Sequence, residues 1–308
     1  MALVICGLLL LTLYNFSSQL PVTQWIQAVV QPGSNDIAQL VFHYSLLPRF
    51  TLALLVGAGL GLAGLLFQLV LRNPLAEPTT LGVSAGAQIG MTIATLWFPG
   101  VMLIAQFASL AGALLVGGLV FAIAWRKTLS PLTLILAGLV LSLYCGAVNQ
   151  LLGLFHHDGL QNLYLWSTGT LNQLDWHQVR GLWLPLLCAM ILALLLVRPL
   201  ALLAVDDTVA RNLGVGVTLC RLGVLLLAIM LSAQLVSAAG IIAFVALFAP
   251  QITRIIGIRQ LYSRLLFTPL FGMLLLWGAD QLAMLAAFHG YTVATGTVTA
   301  LVGAPLLL

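Results

Sequence analysis

The sequence predicts an all-α, polytopic membrane protein of about ten transmembrane helices, and three observations predict it. The 308 residues are 62% hydrophobic and 6% charged, with a mean hydropathy of +1.14, whereas a water-soluble chain carries about 25% charged residues. Charge-free runs recur at the length of a bilayer crossing, about 20 residues. Once those runs alternate across a membrane, Lys and Arg collect on one side.

The runs follow in order. Ala2 to Tyr14 is apolar but lacks the charged start and small-residue cleavage pattern of a signal peptide, so it reads as a shortened first helix. Thr51 to Leu71 is the second. No charge separates Glu77 from Arg126, and Phe98, Pro99 and Gly100 interrupt that stretch, giving two spans around a tight turn. Thr128 to Phe155 and Gly181 to Val197 add two more. Leu222 to Thr253 is too long for one helix and is expected to break at Ser237 to Gly240. Leu265 to Phe288 and Thr292 to Leu308 complete the set.

With a cytoplasmic N-terminus this order puts Arg72, Arg126, Lys127, Arg198, Arg211, Arg221, Arg254, Arg259 and Arg264 inside and only Arg49 and Arg180 outside. His43, His156, His157, His177 and His289 all fall outside. The inner segment Pro199 to Gly214 carries Asp206, Asp207 and Arg211 beside Val209, Ala210 and Leu213; either aspartate could N-cap a short surface helix there.

Several chemistries are excluded. Eleven Lys and Arg residues form no basic stripe of the kind that nucleic acid requires, so no nucleic-acid partner is expected. Cys6, Cys145, Cys188 and Cys220 lie singly in apolar segments and read as small hydrophobes. Gly59, Gly61 and Gly64 match a dinucleotide fingerprint but sit inside a span, where Gly57 and Gly61 make a close helix-packing face instead. Gly82, Ser84 and Gly86 have the shape of a nucleophile elbow without the sheet, acid and histidine that one needs. His156, His157 and Asp158 are adjacent rather than helically spaced, so no metal site is expected. There is no Gly-rich phosphate loop ending in Lys-Ser or Lys-Thr, so the chain has no ATP site of that type and reads as a non-enzyme without a cofactor.

Asp280 lies within a span, where an acid is costly and commonly functional, although bonding to a neighbouring helix would also account for it. With Ser84, Gln88, Asn149 and Gln150 it makes the set of polar candidates for a translocation path. A near absence of charge at membrane depth argues against a gradient-driven secondary transporter or channel, which stays open as the rival class.

Four stretches then carry a family resemblance: RNPLAEPTTLGVSAGA (72–87), DDTVARNLGV (206–215), GIIAFVALFAPQITRIIG (240–257) and TGTVTALVGAPLLL (295–308). In that order the sequence resembles the type II ABC importer permeases for iron siderophores and cobalamin. FHYSLLPR, SPLTLILAGLV, FHHD and LWSTGTL draw the likeness towards the hydroxamate-siderophore members and to the first half of a two-half permease. The resemblance implies one transmembrane permease domain over residues 1–308, in the bacterial inner membrane, without an ATPase site of its own. It implies two cytoplasmic ATPase subunits, a periplasmic siderophore-binding protein, a ferric siderophore as substrate, and a second permease half or a second copy to close the path. Other iron chelates, haem and cobalamin stay open as substrates.

By position, the resemblance makes Asp206, Asp207, Ala210, Arg211, Leu213 and Gly214 the ATPase-coupling segment, and Arg72, Asn73, Pro74, Pro78 and Gly82 a shaping motif of the inner turn. It also implies binding-protein docking at Arg49. Members commonly carry Arg-x-Pro-Arg there, where this chain has Leu46, Leu47, Pro48 and Arg49. Gln251 and Ala246 stand where His and Gly are frequent in the family.

Overall fold

The computed structural model describes residues 2–33, 35–125, 130–156, 166–205, 207–214, 216–288 and 290–307. Those residues form helices, short 3₁₀ and π turns and loops, with no strand among them. The helices are α1 (Ala2–Ser17), α2 (Trp25–Val30), α3 (Ile37–Val41), α4 (Leu47–Leu71), α5 (Val83–Trp97), α6 (Met102–Trp125), α7 (Pro131–Phe155), α8 (His177–Leu195), α9 (Val197–Val205), α10 (Asp207–Asn212), α11 (Val217–Ala239), α12 (Val245–Ile255), α13 (Leu261–Phe288) and α14 (Thr295–Gly303). Among the described residues, six helices are long and apolar enough to cross a membrane, and α1 with the bent-back Val22–Val30 segment makes a possible seventh. The protein is therefore a multi-pass membrane protein. The expected count of about ten is not reached among the described residues because α5, α12 and α14, with 15, 11 and 9 residues, are shorter than the about 20 residues that a full crossing takes.

The expected breaks fall where the sequence puts them. Phe98 to Gly100 separates α5 from α6, and Gly240 ends α11 with a φ of 75°. The unwound stretch then continues to Phe244, a non-glycine residue at φ 70°. A π turn at Phe42–Leu46 joins α3 to α4. Pro48 lies just beyond it and has no N–H to give to the preceding turn, so a widened turn there accommodates the ring.

α4 is the hub. Its neighbours approach on three faces, and glycines make room for them. A Cβ on Gly57 would run into the Gly272 carbonyl of α13, and one on Gly61 would lie 2.8 Å from the Thr268 carbonyl oxygen. Gly59 receives Leu235 of α11, and Gly64 abuts the Ala246 backbone of α12. In lipid there is little hydrophobic drive between helices, so this close backbone approach is the source of cohesion. One apolar core runs through Leu52, Leu66, Phe67, Leu134, Leu225 and Leu276. α7, by contrast, shows Leu139, Leu143 and Leu154 on an open apolar face suited to lipid.

Candidate functional site

Near the start of α4, Arg49 meets Asp280 of α13. The guanidinium donates from Nε to both carboxylate oxygens (3.1 and 3.0 Å) and from Nη2 to Oδ1 at 2.8 Å. Thr295 Oγ1 gives Oδ1 a further bond at 2.8 Å, and Arg49 Nη1 reaches Asn172 Oδ1 at 2.7 Å. The Asp280 side chain is 2% exposed and that of Arg49 18%. A forked, multiply bonded pair is the arrangement that makes a buried ion pair tolerable. Arg49 and Asp280 were thus expected in separate roles, docking and path, yet each is the other's partner. Sequence reasoning missed Asn172 and Thr295. The signal available was topological: the span order expected from the sequence puts the acid within one span and the basic residue opening another towards the same side.

Beside this pair the loop at Gly169 and Thr170 meets the end of α11 and the start of α14. Thr170 N–H donates to the Ala239 carbonyl and Gly296 N–H to that of Gly169, both at 2.9 Å. A Cβ on Gly240 would strike the Trp166 carbonyl. Irregular backbone inside a bundle survives where its polar groups satisfy one another in this way.

At the other end of α4, Arg72 terminates the helix in the left-handed region, φ 47°, and sends Nε and Nη2 to the Leu203 carbonyl at 3.0 and 2.7 Å. Asn73 Oδ1 accepts from Leu75 N–H, and the Pro74 carbonyl accepts from Gln251 Nε2. Pro78 begins a 3₁₀ turn capped by Glu77, whose carboxylate accepts from Thr79 Oγ1 at 2.6 Å. Gly82 closes the turn at φ 73° with Val116 and Ser142 around its α-carbon. The Phe244 N–H also points at Glu77, so the connection touches the unwound stretch after α11. Burial pushes the Glu77 carboxyl above its ordinary value, and the bonds from Thr79 and Phe244 offset part of that rise.

The remaining candidates separate. Ser84 is buried in the first turn of α5. The Thr92 hydroxyl lies between the Gln88 carbonyl at 2.8 Å and Asn149 Oδ1 at 2.7 Å, sharing its one proton between them, and so ties α5 to α7. Gln150 is exposed on α7. Ser84, Gln88 and Asn149 therefore share the α5–α7 region, whereas Asp280 belongs to the α4–α13–α14 cluster. In the expected coupling segment Asp206 lies outside the described residues, as does the Asp207 side chain. Ala210 is fully buried against Leu203 and Val217, while Leu213 is 63% exposed and Arg211 also faces outward. Gly214, at φ 82°, ends the turn by donating its N–H to the Arg211 carbonyl. The result is a short helix anchored by one small residue with its polar and apolar tips free. Among the described residues no group of His, Cys, Asp and Glu could hold a metal ion.

Comparison with known proteins agrees with this architecture. The profile of the FecCD transport family matches residues 2–308. The chain is 58% identical to the iron(3+)-hydroxamate import system permease protein FhuB of Escherichia coli, over 100% of this chain and 47% of that protein. It thus spans about half the length of that relative. It is 34% identical to the Fe(3+)-citrate import system permease protein YfmD of Bacillus subtilis, over 91% of this chain and 83% of that protein. Among solved structures, an inward-facing ABC transporter of the metal-chelate type superposes with a TM-score of 0.81 at 29% identity, covering 99% of this chain and 96% of the other.

Proposed function

The chain belongs to the FecCD transport family, and from that premise we propose that it is the permease subunit of an ABC importer carrying ferric hydroxamate siderophores from periplasm to cytoplasm. The carrying observation is the 58% identity, over the whole chain, to an iron(3+)-hydroxamate permease. In this reading residues 1–308 are one permease domain of the inner membrane with about ten crossings, the short helices α5, α12 and α14 completing the count. The Arg72 end faces the cytoplasm, as the excess of Arg and Lys there favours.

ATP is hydrolysed on two separate subunits, and α10 is the element they grip. A helix with Ala210 buried and Arg211 presented outward, followed by an exposed Leu213, can seat in a partner groove without disturbing the bundle. A periplasmic binding protein delivers the chelate, and a second permease half or a second copy supplies the other wall of the path. The permease makes and breaks no covalent bond. Its work is to offer a wide, weakly polar route whose two ends open in alternation. The commitment of Asp280 to Arg49 and Thr295 supports ATP-driven transport over proton coupling through that carboxylate.

The test is uptake of radiolabelled ferric hydroxamate by cells lacking their own permease and supplied with binding protein, ATPase and this chain, with and without a second permease half. Uptake with the second half is expected. No uptake in either arm, or uptake driven by a proton gradient without ATP, overturns the proposal. Deleting 206–214 is expected to abolish uptake and ATPase association, and retention of both would remove α10 from its role.

A further inference from the structure

At the Arg72 end, Arg254 of α12 and Arg264 of α13 join Arg72, Asn73 and Gln68 around a cavity of about 330 Å³. No carboxylate lines it among the described residues, and the side chains of Arg254 and Arg264 both border it. Two buried polar atoms there have no partner: Arg264 Nε, a donor, and Gln68 Oε1, an acceptor on a side chain that is 7% exposed. Buried polar groups are ordinarily satisfied, so an orphaned donor and acceptor beside concentrated positive charge call for a ligand with both functions. A phosphate oxygen would answer the arginines, and a hydroxyl on the same ligand would answer Gln68.

The cavity does not end there. A second, of about 420 Å³, shares Pro74 and Arg254 with it and adds Gln251 and Ile255. A third, of about 460 Å³, shares Gln251 and Ile255 with the second and is almost wholly apolar, lined by Phe248, Ile252, Leu275 and Val302. Polar, mixed and apolar spaces therefore follow in sequence along α12, which is the order of headgroup, glycerol and acyl chain in a phospholipid.

We propose that this run of cavities binds one anionic phospholipid with a hydroxylated headgroup, its phosphate between Arg254 and Arg264 and an acyl chain in the apolar groove between α12 and α13. The positive end of the bundle is the side on which basic pockets between helices take up anionic lipid. The site would tie α12, which follows the unwound stretch, to α13 through a ligand as well as through packing.

The experiment is thermal unfolding of the purified chain in nonionic detergent, titrated with short-chain phosphatidylglycerol, short-chain phosphatidylcholine or sodium phosphate. Native mass spectrometry of each sample gives the bound mass. Phosphatidylglycerol is expected to raise Tm by roughly 2–4 °C with one lipid retained, and the other two to have no such effect. Arg254→Gln, at an exposed position, should fold and lose the shift; Arg264→Gln should lose it too. Equal stabilisation by phosphatidylcholine, equal stabilisation by free phosphate, or an undiminished shift in Arg254→Gln would each overturn the proposal. So would loss of the retained lipid on adding the second permease half, which would make the groove a protein interface.

Discussion

At one end of α4 an arginine is met by a carboxylate; at the other, arginines gather where no carboxylate lines the space among the described residues. Arg49 has Asp280, Asn172 and Thr295 around it. Arg72 takes a backbone carbonyl, and Arg254 and Arg264 border a cavity. The carboxylate on the nearby connection, Glu77, is occupied with Thr79 and the Phe244 N–H. The same side chain thus closes one end of the bundle against a carboxylate and, among the described residues, borders a cavity at the other. Charge within a membrane protein is informative through what answers it, more than through its count.

The comparison breaks first at Asp280. Asp280→Ala leaves Arg49 with its main partner gone, and a loss of about 3–5 kcal/mol in unfolding free energy is expected, measured by denaturant unfolding in detergent. If the pair serves as a structural clasp, Arg49→Met with Asp280→Leu should recover most of that loss. Recovery of stability without recovery of uptake would sharpen the contrast, since it would assign the charges a part in transport. At the other end Arg254→Gln should alter stability by no more than about 0.5 kcal/mol in lipid-free detergent, as an exposed position without a network does.

Glu77 gives the smallest effect and the one with a pH signature. Its folded pKa is raised, so the folded chain holds the proton more tightly than the unfolded chain. Its contribution is full below the ordinary value of 4.5 and is lost as pH rises from there to the raised value, staying flat above. Glu77→Gln keeps an acceptor for Thr79 and Phe244, and is expected to erase that slope and to equal or slightly exceed the parent in stability at neutral pH. A slope unchanged in Glu77→Gln would place the titration elsewhere.

Much of the architecture was legible because the membrane imposes it. Charge-free runs marked α4, α6 and α7, a run interrupted only by Asp280 marked α13, and Pro99 with Gly100 marked the α5–α6 turn, since all are properties of contiguous sequence. The Gly57–Gly61 packing face was legible for the same reason, although that Gly59 and Gly64 serve two other neighbours was not. The Arg49–Asp280 pair escaped because its members are 231 positions apart and each had a plausible separate explanation. Residues of the path were named from polarity alone, which cannot tell Gln150, exposed on α7, from Asn149, bonded one position away. Ten crossings were counted from hydropathy, which does not distinguish a full-length helix from a short one such as α12.

The glycine-faced α4 also has a consequence for biogenesis. The helix that fills its Gly57 and Gly61 face, α13, begins about 190 residues after α4 ends, a delay of about 10–40 s at ordinary rates of synthesis. Through that interval the helix at the centre of the finished bundle waits in lipid with its grooves unfilled. Variants that crowd Gly57 or Gly61 should therefore fail when α13 arrives to fill that face, and accumulate as unassembled chain.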